Sequence, residues 1–289
     1  MDRLLITGGS GFIGSRLLRD LAQGWQAAGT SRSGQGGLLA LDLCDPASID
    51  RVFRAFAPSA VVHTAATSDP DAAERDPAVC ERVNRDAPER LAKLCQETGA
   101  RLIHFSTDLV FDGAKAFSTE TDPPRPISVY GRCKHQAEQR VLAACPGAVA
   151  LRVATVYGRA LAGRPSFTDT LREKLSRGES FKALIDQWRT PTAVAQLPRV
   201  IGELLRRPEL SGILHWTCPD RFSRFEFAQA FCRAFGYPET LLKPSTMAEL
   251  SFLAPRPRDT SLDSSRLAGR LGFQPWSLAE GLEALKKEG

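Results

Sequence analysis

A short apolar run, Arg3–Thr7, passes directly into Gly8-Gly9-Ser10-Gly11-Phe12-Ile13-Gly14, and apolar residues then recur at helical spacing over Ile13–Ala22. Few arrangements put three spaced glycines at such a junction. The pattern predicts a buried strand, a tight turn at Gly8 and a helix starting against the end of that strand. Gly11 lets another group approach the backbone, and Gly14 lets helix and strand pack closely. The first helical turn, at Phe12 and Ile13, offers unpaired N–H groups and the positive end of the helix dipole. A pyrophosphate suits that position. The strand before and the helix after raise the motif above a plain glycine-rich turn.

The alternation continues. Gln26–Ser31, Ala60–Thr64, Arg101–Ser106 and Val149–Val153 read as buried parallel strands. Pro46–Phe56 behind an Asp45 cap, Val79–Glu97 and Val129–Ala144 read as helices. This predicts an α/β chain with a Rossmann-type doubly wound parallel sheet over residues 1–160. Beyond residue 160, Phe167–Arg177, Val194–Arg206 and Phe225–Phe235 read as helices and Ile213–Thr217 as a strand. We expect a smaller C-terminal substrate-binding region, 161–289, with a segment near 189–217 returning to the first domain.

A net charge of +5 is spread thinly, without a dense Lys/Arg run, which points away from nucleic acid. No apolar run is long enough for a membrane span. The first strand begins at Arg3, which leaves no room for a signal peptide. The seven cysteines form no CxxC pair, and the four histidines lack paired spacing. Reduced thiols in the cytoplasm and no metal site are the expectation. A homodimer is left open.

The second strand runs into Gly29-Thr30-Ser31-Arg32-Ser33. An acid at this place would hold the ribose 2′-hydroxyl of NAD, and none is present. Arg32 can pair with a 2′-phosphate and Ser31 can donate to it, so NADPH is expected, with NADH a weaker alternative.

Tyr130 and Lys134 stand at i and i+4 on one helical face. A nearby ammonium stabilises phenolate, so a lowered phenol pKa is expected. Tyr130 can then give a proton to a carbonyl oxygen as hydride reaches its carbon, while Lys134 holds the nicotinamide ribose. Thr107 and Ser106 close a predicted strand, where ligand crevices lie in such sheets, and can bind the same oxygen. The order of glycine loop, strand-end hydroxyl and Tyr-x-x-x-Lys is more specific than any one part.

These residues resemble the extended short-chain dehydrogenase/reductase family, and more closely the dTDP-4-dehydrorhamnose reductase-like proteins. The likeness runs through Leu4–Gly14, Val61–Ala66, Ser106–Gly113, Tyr130–Lys134 and Arg152–Gly158. It extends to Asp186–Thr192 and to Arg256-Pro257-Arg258-Asp259. The resemblance implies that Thr107, Tyr130 and Lys134 are the catalytic set. It places Asp42 and Leu43 at the adenine and Ala65 and Ala66 beside the pyrophosphate and ribose. Thr67, Ser106, Asp108 and Thr155 fall on the substrate side, and Arg256 on a substrate diphosphate. The implied reaction is NADPH-dependent reduction of a keto group in a nucleotide-linked deoxysugar.

Two departures touch the sugar half. Thr155 stands where rhamnose reductases carry a tryptophan, and Ser166 where they carry an asparagine. A carbonyl substrate without a nucleotide therefore stays open. So does a non-catalytic NADP-binding role, since the regulatory subunit of methionine adenosyltransferase resembles the same reductases. A dehydratase is disfavoured, because Leu109 replaces the glutamate of the usual Asp-Glu after the catalytic threonine.

Overall fold

Leu4 and Ile6 bury their side chains in one apolar cluster and Leu5 in another, so the first strand has packing on both faces. The computed structural model describes residues 2–288. Its central sheet has seven parallel strands. They are β1 (Arg3–Thr7), β2 (Gln26–Ser31), β3 (Leu39–Ala40) and β4 (Ala60–His63). Next come β5 (Arg101–Thr107), β6 (Val149–Val153) and β7 (Gly212–His215). Their spatial order is β7-β6-β5-β4-β1-β2-β3, a doubly wound sheet whose connections reverse direction between β1 and β4. A ligand crevice opens at such a reversal, outside the C-terminal strand ends.

The helix Leu197–Arg206 buries Leu197, Val200, Ile201 and Leu204 in the cluster that holds Leu4 and Ile6. The following strand, β7, pairs with β6 at the sheet edge. A third cluster collects Tyr157, Leu171, Phe227, Phe231, Leu242 and Leu282, away from the sheet. Around it lie the helices Phe167–Ser176, Arg224–Phe235 and Leu278–Lys287. A short parallel pair joins Phe181–Leu184 to Leu242–Ser245.

The helix expected over Val194–Arg206 opens with a 3-10 turn at Val194–Gln196, and another element differs more. The helix expected over Val79–Glu97 is split into Pro77–Glu81, a π turn at Arg82–Asp86, and Ala87–Thr98. Pro88 has no N–H to return to the carbonyl four residues back, so the preceding turn widens. The wider turn aims Asn84 at the chain after β4. There its side chain accepts from Thr67 N and donates to Thr67 O, both at 2.9 Å.

No helix among the described residues is long and apolar enough to cross a membrane.

Candidate active site

The C-terminal strand ends, the glycine loop and the C-terminal third of the chain wall a cleft of about 1040 Å³. That is at the upper end of the range of ligand sites, about 300–1,000 Å³, and suits a large ligand. The residues expected to serve cofactor, catalysis and substrate line this cleft, except Ser166, which caps the helix Phe167–Ser176 and donates to the Gly158 carbonyl.

At one end, Gly8 takes φ 75°, and a Cβ there would lie 2.9 Å from the Ala65 backbone. A Cβ on Gly14 would lie 2.1 Å from the Gly8 carbonyl oxygen. Neither position admits a side chain. The helix Phe12–Leu21 starts at Gly11 with no side chain capping it, and Phe12 and Ile13 of its first turn line the cleft. This cradle fits a dinucleotide pyrophosphate. Ala65 and Ala66 form the adjoining wall, and Ser31, Arg32, Asp42 and Leu43 the outer end. Ser31 Oγ accepts from Gly34 N at 3.0 Å, which leaves its own proton to donate. Arg32 reaches Asp42 only at 3.8 Å and its side chain is 86% exposed. Such a contact is worth little, so the guanidinium is available to a ligand.

In the middle stand Tyr130, Lys134 and Thr107. Ser128 caps the helix Val129–Ala144 by accepting from Gly131 N. A Cβ on Gly131 would lie 2.2 Å from the Leu109 carbonyl oxygen. Glycine thus lets the first helical turn lie against the turn after β5, so that Tyr130 and Thr107 line the cleft together. Burial pushes the Tyr130 phenol up, against the expected lowering. Nearby Asp108 adds to the rise, and Lys134 does not offset it, because its Nζ donates to the Phe105 carbonyl at 2.5 Å and lies 3.1 Å from His104 Nε2. Burial holds Lys134 itself down at about 8.

The remaining expected residues are tied into the frame. Ser106 donates to Glu138 at 2.5 Å. Asp108 accepts from Thr107 at 3.1 Å, pairs with Arg189 at 3.0 Å, and accepts from the Thr260 hydroxyl. It latches the end of β5 to the C-terminal region. Thr155 takes φ 29°, a left-handed conformation unusual for a β-branched residue and a local strain of about 1–3 kcal/mol.

The far end is cationic. Arg256 pairs with Asp71 at 2.9 Å and lies over the Phe252 ring, while its Nη1 is buried without a partner. Arg224 lies over the Phe167 ring and donates to Gln187 at 3.3 Å. Burial, helped by neighbouring Arg189, holds it down at about 10. Among the described residues no carboxylate lies within ion-pair distance of Arg224.

A family model described as the RmlD substrate binding domain matches residues 1–288. The chain belongs to that family. Within it, the chain is 32% identical to a probable low-salt glycan biosynthesis reductase of Haloferax volcanii, over 97% of this chain and 96% of the relative. It is 33% identical to the beta subunit of methionine adenosyltransferase 2 of Bos taurus, over 92% of this chain and 81% of the relative. The dTDP-4-dehydrorhamnose reductase of Bacillus anthracis, crystallised in complex with NADP, superposes with TM-score 0.91 at 26% identity, covering 100% of this chain and 99% of that one. The Rossmann-type sheet of this RmlD-like chain is therefore that of the extended short-chain dehydrogenase/reductases.

Sequence reasoning passed over Arg224, Asn84 and His104. Arg224 starts a helix whose Ser223–Glu226 capping box is legible, but nothing local says that the helix start faces the cleft. Asn84 acts through a π turn that only the later proline foreshadows. His104 meets Lys134 from another element.

Proposed function

We propose that this chain is an NADPH-dependent reductase of a keto group, and that its substrate is a 4-keto deoxysugar carried on a nucleoside diphosphate. Residues 161–289 supply the substrate side. The observation that carries this reading is the line of three stations in one cleft: uncapped helix start, Tyr130–Lys134–Thr107, and Arg224 with the unpartnered Nη1 of Arg256. Guanidinium groups bind diphosphate through paired, charge-assisted donors.

Bound at the glycine loop, the nicotinamide cofactor supplies the hydride. The chain's residues do the rest. Phe12 and Ile13 N–H groups hold the pyrophosphate, and Lys134 directs an ammonium donor at the ribose. Thr107 and Tyr130 direct their hydroxyls at the carbonyl oxygen. The raised phenol pKa keeps Tyr130 protonated at neutral pH, ready to give its proton to a developing alkoxide, which is a stronger base than phenolate.

Purified protein with NADPH, screened against nucleotide-linked 4-keto sugars and simple ketones, tests the reading by loss of NADPH absorbance. We expect turnover with the nucleotide-linked compounds. Arg256→Leu should raise KM for them by roughly 10- to 150-fold, the value of one charged hydrogen bond, and leave simple ketones unaffected. An equal change for both substrate classes would remove the diphosphate from the far end. The likeness to the methionine adenosyltransferase beta subunit supports a second reading, a non-catalytic NADP-binding subunit. NADPH binding without turnover on any carbonyl of the panel would favour it.

Cofactor choice is separately testable. A charge-assisted bond from Arg32 to a 2′-phosphate corresponds to a preference of roughly 10- to 150-fold for NADPH. The exposure of Arg32 pulls this toward the lower end and makes it salt-sensitive. Arg32→Ala should cost NADPH that factor and leave NADH unchanged. Titrations of both cofactors at two ionic strengths decide it, and equal affinity of the native chain for the two would refute the role.

A further inference from the structure

Behind Lys134, on the side away from the cleft, lie two buried histidines that no step above uses. His104 on β5 is 0% exposed and His63 on β4 is 1% exposed. They sit opposite each other in the sheet register, and their rings stack at 5.3 Å with a 19° tilt. His63 Nδ1 meets the Thr7 hydroxyl at 2.6 Å, and His104 Nε2 meets Lys134 Nζ at 3.1 Å. His63 Nε2 and His104 Nδ1 are buried without partners.

Resting on the reading that Lys134 serves the cofactor, we propose that His104 is a positioning residue for Lys134, a permanently neutral imidazole whose bare Nε2 accepts one ammonium proton and aims the others. The geometry requires one donor and one acceptor between the two nitrogens. The Phe105 carbonyl can only accept, so Lys134 donates there. With a second proton on His104 Nε2, the third N–H of the ammonium is left for the cleft that Lys134 lines. The ring proton of His104 must then sit on Nδ1, where it has no partner. A buried, unpaired N–H is costly, and a structure carries one where another constraint fixes the ring. Here the constraint is the ammonium in front and the His63 ring behind.

Neutrality follows from the surroundings. A charged His104 would be cut off from water beside a lysine ammonium and a second imidazole, and both burial and Lys134 oppose it. His63 is held down at about 3 by the same two effects. The other groups facing Lys134 are Glu138 and Cys133 on its own helix and Cys80 from Pro77–Glu81. Glu138 is already engaged by Arg152 and Ser106. His104 is thus a nitrogen acceptor for the ammonium that keeps the same charge from pH 5 to 9.

Two measurements test this. In the native protein, ¹⁵N NMR of the histidine side chains should show His104 neutral from pH 5 to 9, with Nδ1 protonated and Nε2 bare. Titration near pH 6.5, or a proton on Nε2, overturns the proposal whatever reaction the chain performs. The second measurement is the NADPH dissociation constant as a function of pH. Loss of an acceptor makes the ammonium less favourable, so in His104→Phe the weakening of binding at high pH should begin roughly one to two units lower than in the native chain. His104→Gln, whose amide oxygen can take the place of Nε2, should restore the native profile. A His104→Phe profile that coincides with the native one, or a Gln variant that behaves like Phe, defeats it. Native NADPH binding that does not weaken at all above pH 8 would instead count against Lys134 as the ribose holder, a failure of the underlying reading that leaves the NMR result standing.

Discussion

Replacing Tyr130 with phenylalanine is expected to lower NADPH-dependent turnover by about 10²–10⁴-fold, the usual cost of losing a positioned general acid. The ring keeps its volume in a buried site, so packing and NADPH affinity should be unchanged. The size of the effect follows from the surroundings of the oxygen. Thr107 can turn the proton it gives Asp108 toward the carbonyl, but an alcohol is too weak an acid to replace the phenol. Lys134 donates to Phe105 and approaches His104, so it is not placed to protonate the alkoxide in the tyrosine's stead. Water in the cleft would be an unpositioned donor in its place. Steady-state turnover and NADPH titration on the variant give the two readouts. Turnover near the native value would eliminate Tyr130 as the acid.

The glycine loop, the strand ends and the Tyr–Lys spacing were legible because each is local. Three glycines at a strand–helix junction, or two side chains one helical turn apart, fix their geometry within a few residues. The first sheet strands were legible for a related reason: buried parallel strands are short continuous apolar runs, such as Ala60-Val61-Val62. What the sequence hid is long-range pairing. His104 to Lys134, Ser106 to Glu138 and Asp108 to Arg189 each join residues about 30 or more apart on different elements. No spacing rule encodes them. The phenol pKa was misread for the same reason. An i, i+4 lysine does sit beside Tyr130, but residues on β5 turn its ammonium aside and burial then dominates. The π turn at Arg82–Asp86 was hidden because Val83, Ala87, Leu91 and Leu94 keep an acceptable helical stripe across it, and only Pro88 marks the change.

The largest stability effect is expected at Glu138, one turn beyond Lys134. Arg152 on β6 grips its carboxylate with two bonds of 2.7 Å, and Ser106 adds a third. Both charged side chains are 2% exposed. Arg152 also lies over the Phe111 ring and within 3.3 Å of His215 Nε2. This knot ties the helix Val129–Ala144 to β5 and β6. Glu138→Gln leaves the Arg152 charge buried and unpaired, and breaking such a pair costs about 3–5 kcal/mol. Against burial, which alone would raise it, Arg152 with His135 and Ser106 holds the Glu138 carboxyl down at about 2, from an ordinary 4.5. A depressed pKa contributes stability that is complete above the ordinary value and is lost as pH falls through the folded one. The linkage is worth about 3 kcal/mol, the same order as the cost of the substitution. Native and Glu138→Gln proteins should therefore differ most above pH 5 and converge as pH falls toward 2. Urea denaturation midpoints measured across that range check both magnitude and sign. A second variant, Glu138→Leu combined with Arg152→Met, removes both charges and should recover most of the lost stability, because the penalty lies in the orphaned charge. A double variant as unstable as Glu138→Gln, or a native midpoint whose acid limb matches that of Glu138→Gln, would show that packing rather than the ion pair holds this helix to the sheet.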